Sequence, residues 1–135
     1  MILISGATPE ADLPIDLRSR IEERMAFMAQ GEPFDPDLHG QIVVVEEGDS
    51  LEAISSAVGF DILANAVTGV RFGEPGYEPS FEVCEENATC YELVFAFGDG
   101  DDGIVIFIPK GVEIDPVLLA YCQTYAPAVP GVDMP

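Results

Sequence analysis

The sequence predicts an α+β domain, an antiparallel β-meander of three to four strands with helices packed mainly on one face. Three observations carry that class. In "CYELVFAF", residues 90–97, Tyr91, Leu93, Phe95 and Phe97 alternate with Glu92, Val94 and Ala96, the period-two pattern of a strand with one face in the core. Short Asn, Gly and Asp segments, "EENAT" before it and "GDGDDG" after it, flank that strand and make sequential hairpins easier than crossovers. The element order, helix, strand, two short helices, three strands, helix, lacks the strand–helix repetition of a parallel α/β fold, and no internal repeat is evident.

Taken in order, "ILIS" is a short apolar start that could add an edge strand. In "DLPIDLRSRIEERMAFMAQG", Leu17, Ile21, Met25 and Met28 recur at helical spacing, while Arg18, Glu22 and Arg24 face water, so a helix is expected near 16–29. Asp12 or Asp16 is the expected N-cap and Gly31 the stop. "GEPFDPDLHGQ" is a Gly/Pro connector. Gln41 to Glu46 reads as a buried strand because of the run Ile42 to Val45. Asp49 then caps a helix near 50–58, with Glu52 three residues on. A second short helix is expected from Asp61 to Val67, between Gly59 and Gly69. Strands follow near 81–86, 90–97 and 104–108, the last closed by Pro109, and a helix near 116–125 is capped by Asp115 with Pro116 in its first turn. Residues 1–126 are thus expected to form one compact acidic domain, and 127–135 an extended or disordered tail.

The chain has 135 residues and is 48% hydrophobic, enough for a substantial core without staples. Its five Lys and Arg against 25 Asp and Glu give a formal −20, far beyond the roughly 2 to 8 units of an ordinary small-domain surface. From residue 31 onward the balance is 20 acidic to 2 basic side chains, a formal −18. Such a field repels phosphate backbones and anionic lipid. The expected partner is therefore a basic or neutral protein, with no direct nucleic acid and no membrane, and a homo-oligomer stays open. The acids are interleaved with apolar residues, and eight Phe and four Tyr argue against disorder. The first residues carry neither a basic segment nor an apolar stretch long enough for a secretory signal or a membrane span. Three cysteines, an odd number, fit a reducing compartment better than a disulfide scaffold. A cytoplasmic protein is expected, and "NAT" at Asn87 to Thr89 reads as turn chemistry rather than a glycosylation site.

Several groups of residues could carry chemistry. Asp99, Asp101 and Asp102 offer hard oxygen ligands for Ca²⁺, but "DGDDG" is too compact for an EF-hand loop, and Gly and Asp are the usual residues of a tight turn. The turn is the preferred reading. Cys84, Cys90, Cys122 and His39 could supply a Cys3His set for Zn²⁺, yet the five residues between Cys84 and Cys90 exceed the usual two to four. Free, mainly buried thiols are expected, Cys84 and Cys90 opposing one another across the "EENAT" turn. Cys90 or Cys122 with His39 is the least poor nucleophile and base pair. The glycines form no phosphate-cradling pattern. Arg18, Arg20 and Arg24 are expected to anchor their helix against the acidic body. No metal or cofactor is expected.

One segment, "VVEEGDSLEAISSAVGFDILANAV", resembles the first part of a LysM domain. The matching positions are Val45, Gly48, Asp49, Ser50, Leu51, Ile54, Gly59, Leu63 and Asn65, over about a sixth of the chain. The resemblance implies a strand followed by two helices, and N-acetylglucosamine polymers as ligands. The closing strand of that module is replaced here by "VRFGEPGYEPS", and a general strand, capped helix and turn is the preferred reading of the same residues.

These readings rank the functions. First stands a non-enzymatic acidic interaction module for a basic protein partner, with a toxin-neutralising inhibitor or nucleic-acid mimic as a sharper subclass; Asp99, Asp101, Asp102, Glu82, Glu85 and Glu92 are its candidate binding carboxylates. A small-molecule or carbohydrate-binding module follows, and a cysteine-dependent enzyme comes third.

Overall fold

Two runs decide the architecture, Ile42 to Val45 and Ile104 to Ile108: every one of these residues is buried. In an extended chain neighbouring side chains point to opposite faces, so a strand buried at every position must be covered from both sides. A computed structural model of the chain describes residues 1–4, 13–35, 39–65, 67–81, 83–97 and 102–126. It contains β1 (Ile2–Leu3), α1 (Ile15–Ala29), β2 (Gln41–Val44), α2 (Leu51–Val58), β3 (Val83–Glu86), β4 (Cys90–Phe97), β5 (Asp102–Pro109) and α3 (Pro116–Tyr125). The strands form one sheet in the order β1-β2-β5-β4-β3.

The α+β class holds, and β3, β4 and β5 make the expected antiparallel meander, with Cys84 opposite Leu93 and Leu93 opposite Ile106. The sheet as a whole is mixed, because β2 runs parallel to β5, Gln41 opposite Ile104 through Val44 opposite Phe107. After β2 the chain crosses through α2 to the far edge of the sheet and then meanders back, which returns β5 alongside β2 in the same direction. The "ILIS" segment does add an edge, pairing antiparallel with β2.

The expectation that the helices share one face is corrected. Helices α2 and α3 cover one face, where Val43, Ile54, Leu93, Phe95, Ile106, Leu118 and Tyr121 form a core. Helix α1 covers the other, where Leu17, Ile21 and Met25 pack on Ile42, Val44, Val105 and Phe107. Gly40 sets how closely the α1 layer meets the sheet: its φ is +116°, and a Cβ there would run into the Gly103 carbonyl oxygen and come within 2.8 Å of Met28 Cε.

Local chemistry corrects three further expectations. Ser50, not Asp49, caps α2, its Oγ accepting the Ala53 N–H at 3.1 Å; the Asp49 carboxylate instead accepts the Glu46 N–H at 2.8 Å and closes the preceding turn. Helix α1 begins after Pro14 with no side-chain cap, Asp16 lies within its first turn, and it ends on Gln30 in the left-handed region, one residue before Gly31; Asp12 lies outside the described residues. The helix expected from Asp61 does not form. Residues 61–65 make turns and an isolated bridge from Ala64 to Arg71, because Asp61 Oδ1 takes the Leu63 N–H and Asn65 Oδ1 takes those of Val67 and Thr68, side-chain acceptors that compete with helical bonding. Asp115 caps α3 as expected, accepting the Val117 N–H at 2.8 Å. The tail at 127–135 lies outside the described residues.

Candidate functional site

The polar side of β4 is internal. Glu92 faces α1 and is completely buried, and its carboxylate accepts from two guanidinium groups and one amide. Arg20 reaches it through Nε at 2.6 Å and Nη2 at 3.0 Å, Arg24 Nε at 2.8 Å, and Asn87 Nδ2 at 2.8 Å. Arg24 also spans to Glu85, the cross-strand neighbour of Glu92. Burial alone would raise the Glu92 pKa, but the hydrogen bonds and charges of Arg20 and Arg24 outweigh it and hold the carboxyl below its ordinary value. The same bonds hold the Arg20 guanidinium protonated. Asn87 organises the turn beside this network, its Oδ1 accepting the N–H groups of Thr89 and Cys90 at 2.9 Å each. The reading of Arg20 and Arg24 as anchors of the helix is thereby given geometry, and Arg24, expected to face water, is turned onto the sheet instead.

Two of the six candidate binding carboxylates are thus placed inside the fold's own ion pairs. Glu92 has no exposed surface with which to meet a partner, and Glu85 is engaged by Arg24 at 3.0 Å. Asp102 opens β5 opposite Phe97, while Asp99, Asp101 and Glu82 lie outside the described residues. Among the described residues no group of three or more His, Cys, Asp or Glu side chains is placed to hold a metal ion.

The thiols are free and buried, but not arranged as the sequence suggested. Cys84 belongs to the core under α2 and α3 and Cys90 to that under α1, so the sheet separates them. The EENAT turn pairs Glu86 with Tyr91 and leaves Cys90 opposite Pro109, putting the two cysteines out of register and on opposite faces. Cys122 shares the Cys84 face. Desolvation pushes Cys84 up to about 12, helped by the Glu85 charge, and Cys90 up to about 12, helped by that of Glu92; Cys122 is raised too, mainly by burial. A nucleophilic cysteine needs the opposite shift. His39 is engaged locally: Nδ1 accepts the Asp35 N–H at 3.0 Å, Nε2 lies 3.5 Å from Glu32, and the ring tilts against Phe34. Cys122 is on the other side of the sheet from that ring, and Cys90 Sγ faces Glu92 at 3.8 Å.

Arg71 and Lys110 are also committed within the chain. Arg71 Nε pairs with Asp61 at 2.8 Å, and Lys110 pairs with Glu86 at 2.5 Å while lying over the Tyr91 ring. Facing outward are carboxylates on every side of the fold, among them Asp16 and Glu22 on α1, Glu52 on α2, Glu74 and Glu78 in the connector and Glu113 before α3. Sequence reasoning missed one feature, an open groove of about 560 Å³ against α2, lined by Leu51, Glu52, Ser55, Ser56, Phe60 and the Asp61–Arg71 pair. All of its lining but Arg71 falls within the segment resembling a LysM domain, but the second helix that the resemblance implies does not form among its described residues. The signal that could have found it is the pair Asp61 and Arg71, one acid and one of only two bases after residue 31. No family model, curated protein or solved structure matches the chain.

Proposed function

We propose that the protein is an acidic interaction module that engages a basic protein partner. The observation that carries this reading is the internal use of four of its five Lys and Arg side chains: Arg20, Arg24, Arg71 and Lys110 all sit on carboxylates of the same chain. The excess negative charge is therefore left to the outer surface, where it speeds encounter with cationic surfaces and disfavours acidic ones. A partner that ordinarily holds nucleic acid fits this chemistry, which makes an inhibitor or nucleic-acid mimic the sharper form of the proposal. No helix among the described residues is long and apolar enough to cross a membrane.

Affinity capture at low salt, followed by calorimetry of the purified pair across a salt series, tests the proposal. A saturable complex whose affinity falls steeply with added salt is expected. A tight complex indifferent to salt, or no specific partner at any salt, would overturn it. A second reading, binding of a small molecule or carbohydrate, draws on the groove against α2, whose volume falls within the range of ligand sites; saturable binding of chitin fragments or of a neutral metabolite would put that reading first.

A further inference from the structure

We propose that the groove against α2 seats a lysine or arginine side chain from a basic segment of the partner. The inference rests on the reading of the chain as an acidic module and names where on its surface that module grips. The groove offers three things a cationic side chain uses. Leu51 and Phe60, both partly buried and packed on the core beneath, provide an apolar wall for the methylene stem. The Phe60 ring is fixed edge-on to Phe95 with centroids 5.2 Å apart, and an aromatic ring next to a cationic head adds a cation–π attraction. Glu52, exposed on the first turn of α2, supplies a carboxylate for that head.

The opposite wall favours a cation over an anion. Arg71 is the lining's one base, and it is paired with Asp61 through two contacts, 2.8 and 3.4 Å. Asp61 is itself tied to the Leu63 N–H, so the Arg71 charge is met by a carboxylate within the same wall. Two acids and one base leave the lining with a formal −1, inside the field of a chain at −20. An incoming anion meets a guanidinium already neutralised, whereas an incoming cation meets Glu52. Because the groove is open and larger than one side chain, it accepts a residue still joined to its neighbours, which suits a side chain presented by a protein segment.

The test titrates isotopically labelled full-length protein by NMR with the acetylated, amidated peptide Gly-Gly-Arg-Gly-Gly and with its citrulline counterpart, which keeps the shape and loses the charge. Saturable shifts confined to residues 51–61 and 71 are expected, with affinity about tenfold lower for citrulline. Glu52→Gln weakens the arginine peptide by about threefold, and Ser56→Phe, a change at an exposed helix position lining the groove, abolishes the localised shifts while leaving the circular-dichroism melt in place. Should Ser56→Phe disturb the fold, Glu52→Gln alone carries the test. Shifts spread over the outer carboxylates and unmoved by either variant would overturn the groove while the salt-dependent partner still upheld the acidic module. Equal binding of the citrulline peptide would overturn the proposal in favour of a neutral ligand. No binding of the basic peptide, together with no salt-dependent partner, would remove both.

Discussion

The two faces of the sheet solve the same problem with different chemistry, and β4 belongs to both. Toward α2 and α3 it contributes Tyr91, Leu93 and Phe95 to a core rich in aromatic rings, where Tyr121 packs edge-on to Phe72, Phe81 and Tyr125 at centroid distances from 5.2 to 6.0 Å. Toward α1 it contributes Cys90 and Glu92, and the layer is completed by a carboxylate held between two guanidinium groups. The aromatic face is non-directional, since apolar area is stabilising wherever it is buried. The charged face is directional: a buried ion pair offsets its desolvation only with near-complete hydrogen bonding, so it fixes the position of α1 more than it adds stability. One strand therefore anchors one layer by area and the other by geometry.

The largest effects separate these two modes. Leu93→Ala opens a cavity in the aromatic face and costs about 2 to 5 kcal/mol. Glu92→Ala leaves two guanidinium groups facing each other across an empty site and costs about 3 to 5 kcal/mol, toward the lower figure because Arg20 keeps 28% side-chain exposure and with it part of its hydration. The two losses differ in their dependence on pH. With its folded pKa depressed, Glu92 contributes stability that is present above the ordinary carboxylate value of about 4.3 and is lost as pH falls through the folded value. Urea denaturation from neutral to acid pH is therefore expected to show the gap between wild type and Glu92→Gln closing under acid conditions, while the gap to Leu93→Ala stays constant. A Glu92→Gln gap that does not move with pH would mean that the network holds α1 by shape alone.

What could be read in advance follows the same division. Residues 90–97 alternate cleanly, so the meander and the inward set Tyr91, Leu93 and Phe95 were legible from period alone, as was the Asp115–Pro116 start of α3. Glu92 stood in the alternate positions, where a polar residue ordinarily means solvent; that a helix 68 to 72 residues away in sequence covers it is a tertiary fact with no local signal. A clue is nonetheless present: Ile42 to Val45, read from the sequence as a buried strand, and Ile104 to Ile108 are apolar at every position, and a strand with a wet face has no use for that. The parallel pairing of β2 with β5 was hidden for a related reason, since strand neighbours depend on where the long connector lands. At the candidate site the charge imbalance was legible, whereas the groove depends on turns at 61–65 that helix-like spacing concealed.

An intermediate effect comes from the thiols, one on the charged face and two on the aromatic face. Protonated in the folded protein up to about pH 12 at Cys84 and Cys90, they ionise in the unfolded chain near 8.5. The unfolded state then binds fewer protons than the folded one, so stability is full below that value and falls as pH rises through it, by just under about 1 kcal/mol per thiol at pH 9. Alkylation of the native protein should be slow at all three sites and should accelerate together with global unfolding. Rapid modification of Cys90 alone would break the comparison in an informative way, by revealing that α1 lifts from the sheet as a separate unit while the aromatic face stays closed.

A further comparison probes the polar link within the aromatic face, the 2.8 Å hydrogen bond between the hydroxyls of Tyr77 and Tyr121. Tyr121 is fully buried and Tyr77 only partly so, and this makes the two phenylalanine substitutions unequal in a direction that burial alone would get backwards. Tyr121→Phe removes the buried hydroxyl and leaves one on Tyr77, which can turn to water, so the loss is that of an ordinary hydrogen bond, about 1 kcal/mol or less. Tyr77→Phe strands the Tyr121 hydroxyl inside the core with its desolvation uncompensated and costs about 1 to 3 kcal/mol. Thermal denaturation of both single variants and of the double variant is expected to place Tyr77→Phe lowest, with the double variant close to Tyr121→Phe alone, because removing both hydroxyls leaves nothing unsatisfied. The reverse order would mean that the buried hydroxyl is satisfied from elsewhere. The aromatic face would then depend on area alone, and its contrast with the Glu92 layer, where two guanidinium groups converge on one buried carboxylate, would be sharper still.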